Sequence, residues 1–205
     1  MRGWTGATIA AMTSFGPGVA LIVNDIQNDF VSPTGGLSVA GAPAIIPAVN
    51  VRILSARAAG SLIVYTQDQH PPVTPHFAKD GGTWPVHCVA GTWGAAFDPS
   101  LVIHGPTIPK GVAGEDGYSG FTMRDHATGA DVPTALDAFL RDAGVRKIVV
   151  CGIATDYVVR ATALDGRRLG YAVSLLTDAI VAVDLVPGDG RRAIAEMAEA
   201  GVRIV

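Results

Sequence analysis

The sequence predicts an α/β fold: a mostly parallel, doubly wound sheet of about six strands with helices on both faces. Three observations predict it. Short apolar runs rich in β-branched residues recur without polar alternation, as in strands covered on both sides. Segments with helical spacing separate those runs, so strand and helix alternate along the chain. The length of 205 residues suits one core of ordinary size.

Each element has its own signal. Val19 to Val23 is a continuous apolar run and reads as the first strand. Ala42 to Ala59 carries Ile45, Ile46, Val49, Ile53 and Leu54 along one helical stripe. Ser61 to Thr66 is a second buried strand. Asp68 to Pro99 is rich in Pro, Gly, His and Trp, and so long a loop is usually functional. Thr107 to Lys110 closes a third strand. Val132 to Ala143 reads as a helix stopped by Gly144, followed by a fourth strand from Lys147 to Val150. Thr155 to Leu169 reads as a helix stopped by Gly170, and Tyr171 to Leu176 as the fifth strand. A helix from Gly190 to Ala200 and a strand from Val202 to Val205 complete the pattern.

Residues 1–17 read as a short N-terminal extension, and residues 18–205 as a single domain. The net charge of -3 argues against a nucleic-acid footprint or a basic membrane face. No apolar run approaches the roughly 20 residues that a membrane-spanning helix needs. Two cysteines, Cys88 and Cys151, make no disulfide framework, so the cytoplasm is the expected compartment. No GxGxxG run follows the first strand, which argues against a dinucleotide site.

In parallel sheets, ligands bind beyond the carboxyl ends of the strands. Three groups of residues lie there. Asp25 ends the first strand within Asp25-Ile26-Gln27-Asn28-Asp29-Phe30. It could serve as a general base or as a turn former. Asp68, His70, His76 and His87 follow the second strand. One carboxylate and three imidazoles suit one divalent metal ion, zinc first and manganese or iron next. The alternative is a loop with surface histidines. Lys110 ends the third strand and taken alone is an ordinary solvated lysine.

Taken together, these strings resemble the nicotinamidase/isochorismatase-like cysteine hydrolases. The resemblance rests on DxQNDF from Asp25 and on Thr66 to His70. It rests also on Trp84 to Cys88, on Tyr118 to Phe121 and on Cys151 to Val159. It covers Val19 to Val205 and implies a three-layer α/β/α sandwich. It implies Asp25 as base, Lys110 as its cationic partner, and Asp68, His70, His76 and His87 as metal ligands. Phe30, Trp84, Tyr118 and Tyr157 would line a pocket for a small aromatic amide or acid. The Ile153–Ala154 peptide, often cis in this family, would join the residue at 158 in an oxyanion hole. The family also implies homo-oligomers.

The chain departs from the family at one place. The turn reads Ala154-Thr155-Asp156-Tyr157-Val158, with valine where the family carries its nucleophilic cysteine. Valine has no lone pair and cannot form an acyl-enzyme. Efficient thiol-dependent amide hydrolysis is therefore not expected. Two other readings stay open at this point. One is a cysteine-independent enzyme, with Asp25 as acid on a vinyl ether or with a metal-activated water. The other is a non-catalytic, metal-dependent binder. Asp156 is expected to cap the following helix or to orient the turn.

Overall fold

The computed structural model describes residues 15–205. Most of the expected N-terminal extension, residues 1–14, lies outside the described residues. Six strands form one sheet in the order β3-β2-β1-β6-β7-β8. They are β1 (Val19–Asn24), β2 (Leu62–Asp68), β3 (Thr107–Lys110), β6 (Lys147–Ile153), β7 (Ala172–Val181) and β8 (Arg203–Ile204). All five pairings in this sheet are parallel. A short antiparallel ribbon pairs β4 (Thr122–Arg124) with β5 (Asp131–Pro133). The helices are α1 (Asn28–Val31), α2 (Ala42–Ala58), α3 (Leu136–Asp142), α4 (Arg160–Arg168) and α5 (Asp189–Glu199).

The chain steps outward from β1 to β3, then returns to β6 on the other side of β1. The strand order thus reverses between β1 and β6, which opens a crevice at their carboxyl ends. Asp25 and Ala154, the residues just past these two strands, stand at that crevice.

Alternate residues of β1 feed two cores. Leu21 and Val23 pack with Ile45, Val49 and Ile53 of α2. Ala20 and Ile22 pack with Leu136 and Leu140 of α3, Ala163 of α4 and Met197 of α5. Both faces are therefore apolar, and this explains the absence of polar alternation in β1. The result is the expected three-layer sandwich. Among the described residues, no helix is long and apolar enough to cross a membrane.

Several elements differ from the sequence reading, among them β6, which runs to Ile153 rather than Val150. The helix expected from Val132 begins only at Leu136, because Asp131–Pro133 is strand β5. Pro133 disfavours a helical Val132, and the Thr134 hydroxyl accepts the Leu136 N–H at 3.1 Å. The helix expected from Thr155 opens instead as a π turn, Thr155–Val159. Its wide loop closes through Val159 N–H to Ala154 C=O at 3.1 Å. Strand β7 runs five residues beyond the expected Leu176, to Val181. An irregularity between Val150 and Gly152 of β6 accompanies that extension. Gly152 has φ 112°, and a Cβ there would lie 2.2 Å from the Asn24 carbonyl oxygen, so only glycine fits.

Candidate active site and metal centre

Three adjacent strand ends build a buried ionic trio. Lys110 Nζ donates to Asp25 Oδ2 and to Asp68 Oδ1, each at 2.8 Å. Thr66 Oγ1 donates to the other Asp25 oxygen at 2.5 Å. Two carboxylates share one ammonium, and their other neighbours set them apart. Burial raises the Asp25 carboxyl to about 6, against the pull of Lys110. Burial would raise Asp68 too, but Lys110 and the facing His70 and His87 outweigh it and hold Asp68 at about 2. Burial disfavours the Lys110 charge, yet Asp25 and Asp68 together hold its pKa above the usual lysine value.

The imidazoles of His70, His76 and His87 converge beside this trio. One nitrogen from each lies within 4.8 Å of the others. Their outer nitrogens are held apart from the centre. Ionised Asp116 can only accept, so His76 Nδ1–H donates to its Oδ1 at 2.8 Å. His87 Nδ1–H donates to the Pro85 carbonyl at 2.7 Å. Both rings therefore keep Nε2 available. His70 is buried, and neither of its nitrogens has a hydrogen-bond partner among the described residues. An orphaned buried imidazole is costly unless something else ligates it. Burial also lowers the His70 pKa to about 4, so the ring is neutral and its lone pair is free near pH 7. These donors fit a divalent ion. Asp68 adjoins them, with Oδ2 3.9 Å from His70 Nε2 while Oδ1 holds Lys110.

Aromatic rings complete the pocket. Trp84 meets Tyr157 edge-on at 5.2 Å, and Tyr118 meets Tyr157 at 5.2 Å. Trp84 Nε1–H donates to the Tyr118 hydroxyl at 3.1 Å. Phe30 lies 5.5 Å from His87 across the pocket floor. Val158 is buried and also lines this space, next to Ile153 and Ala154, whose shared peptide is cis. Asp25 and Lys110 lie behind the wall, at 0% and 1% exposure. Neither cysteine lines the pocket among the described residues. Burial pushes both thiols well above their ordinary pKa. Cys88 Sγ points to the Gly94 carbonyl and Cys151 Sγ to that of Ile22.

Further residues support the site. The Gln27 amide donates to the carbonyls of Asp68 and Ala95, and its oxygen accepts the Asp68 N–H. Asp29 accepts N–H groups from Cys88 at 2.6 Å and Gly36 at 2.8 Å. The Asp25–Phe30 string thus ties the long loop to β1. Leu37, Val39 and Val183 add an apolar wall. Asp156 orients a turn rather than capping α4: its carboxylate accepts the Val183 and Asp184 N–H groups at 3.0 and 2.8 Å. Asp116 had no positional signal, since 40 residues separate it from His76. A carboxylate behind a ligating histidine is expected on chemical grounds alone.

Comparison with known proteins places the chain in a family. Residues 19–205 match the isochorismatase domain. The chain is similar to a nicotinamidase of Escherichia coli K12, 33% identical over 210 residues, covering 92% of this chain and 94% of that one. It resembles a pyrazinamidase of Pyrococcus horikoshii in complex with zinc, 42% identical with a TM-score of 0.82, over 92% of this chain and 99% of that one. It also resembles PnC1 of L. infantum in complex with nicotinate, 35% identical with a TM-score of 0.84, over 95% and 96% of the two chains. The chain therefore belongs to the isochorismatase-domain family.

Proposed function

We propose that this chain is an amidohydrolase scaffold that holds a small aromatic carboxamide, or the matching acid, beside a divalent metal. Valine at position 158 removes efficient thiol-dependent hydrolysis. One observation carries this reading: a single pocket joins three converged imidazoles, an aromatic cage and the Val158 side chain, with no cysteine among its described lining residues. The nicotinate in the L. infantum structure and the nicotinamidase relative supply the ligand class. The zinc of the P. horikoshii structure supplies the metal, which His70, His76 and His87 would hold with Asp68 alongside.

A bound ion would supply Lewis acidity toward a ring nitrogen or carboxylate. Phe30, Trp84, Tyr118 and Tyr157 hold the flat ring by edge and face contacts. Asp25, poised near pH 6, can hold or release a proton, but no thiol stands ready to give it one.

Two measurements test this. Calorimetry with zinc and nicotinate should show saturable, zinc-dependent binding to the wild type. V158C should release ammonia from nicotinamide at least about 10³-fold faster than the wild type, a ratio scaled to loss of a nucleophile in triad enzymes. A wild type as fast as V158C, or a folded V158C that binds nicotinate without gaining activity, overturns the proposal.

A second reading rests on Asp25 itself. A carboxyl raised to about 6 is a competent proton donor for a vinyl ether. Its complete burial behind the pocket wall favours the first reading. Turnover of a vinyl ether by the wild type, lost in D25N, would reverse that preference.

A further inference from the structure

We propose that Asp116 is a positioning residue for the metal centre, and that it couples metal binding to the placement of Trp84 and Tyr118. The proposal rests on the metal-dependent reading above and goes beyond it to a specific residue and a specific coupling.

His76 sits at the junction of two tethers. The first is a side-chain tether. His76 Nδ1–H donates to Asp116 Oδ1 at 2.8 Å, and the same oxygen accepts the Gly117 N–H at 2.8 Å. Gly117 leads directly to Tyr118, a wall of the cage. The second is a backbone tether. His76 C=O accepts the Trp84 N–H at 3.3 Å, and Ala78 N–H donates to the Trp84 carbonyl at 2.7 Å. The two tethers meet where Trp84 Nε1–H donates to the Tyr118 hydroxyl. His76, Asp116, Gly117, Tyr118 and Trp84 therefore form one closed circuit. Rotating the His76 ring breaks its bond to Asp116 and removes the side-chain link between the imidazoles and the segment that carries Tyr118.

Asp116 is itself fixed. Its backbone exchanges two hydrogen bonds with Arg124, at 2.9 and 2.6 Å. Arg124 Nη2 adds a 3.4 Å contact to Oδ2. Behind them, Thr122 of β4 donates to buried Asp165 of α4, and Gly120 N–H donates to Thr162. The carboxylate is thus presented from a braced ribbon and sets the tautomer of a ring that keeps Nε2 available beside the other two imidazoles. Such outer partners of ligating histidines typically contribute 10- to 100-fold in metal affinity.

The test uses the full chain and zinc alone as probe, in competition with a chromogenic chelator. Zinc affinity should fall about tenfold in D116N, whose amide oxygen still accepts the Nδ1–H, and toward about 100-fold in D116A. Zinc should also change the tryptophan emission of the wild type, and W84F should abolish that change. In D116A the change should be lost even at saturating zinc. A merely structural role would lower the melting temperature and leave zinc affinity alone. Folded D116A or D116N with wild-type zinc affinity overturns the proposal, as does an intact Trp84 signal in zinc-saturated D116A. Failure of the wild type to bind zinc instead overturns the metal-dependent reading on which this one rests.

Discussion

At residue scale the site is governed by two carboxylates with one shared cation and different other neighbours. One ammonium serves two buried carboxylates at equal distance, and Asp68 gains the fields of His70 and His87 besides, while Asp25 is raised by burial and by Asp68. Asp25 therefore binds a proton more tightly in the folded chain, at about 6, than an ordinary aspartate carboxyl does at 3.8. Its cost to folding is absent below about pH 4 and complete above about pH 6. The stability of the wild type relative to D25N should fall as pH rises through that interval, measured by urea denaturation at each pH. Removing Lys110 has a larger effect. K110M leaves two buried carboxylates without their cation and should cost roughly 3–5 kcal/mol at pH 7, read as a drop in the denaturation midpoint.

At element scale, the regular strands were legible and the turns between them were not. The apolar runs of β1, β2 and β6 announced themselves because both faces of the sheet are covered. The strand-end positions of Asp25 and Asp68 followed from those runs, and that of Lys110 from the short strand β3. The π turn at Thr155–Val159 did not, since it depends on which carbonyl Val159 N–H reaches rather than on the apolar period. Ribbon β4–β5 was hidden because three-residue strands carry too little pattern, and Val132 alone looked helical. Leu37, Val39 and Val183 were missed because distant loops bring them in. Gly152 marks the join between β1 and β6. G152A should cost about 1–3 kcal/mol through its backbone conformation alone, and more through the clash with Asn24, with the loss seen in thermal melts.

At the scale of the whole molecule, metal and fold are linked by mass action. An ion that binds only the folded chain stabilises it by about 2.7 kcal/mol at 100 times its dissociation constant. Zinc should therefore raise the melting temperature of the wild type, a chelator should reverse the rise, and H70A should show neither effect. The reversal of strand order between β1 and β6 has a further outcome. The charged partners come from the tips on one side of the divide, while position 158 hangs from a bend on the other. Swapping the residue at that bend leaves the wiring of the opposite half intact. A scaffold split in this way can lose or regain its attacking atom without surrendering what it recognises, so chemistry and recognition are free to diverge separately.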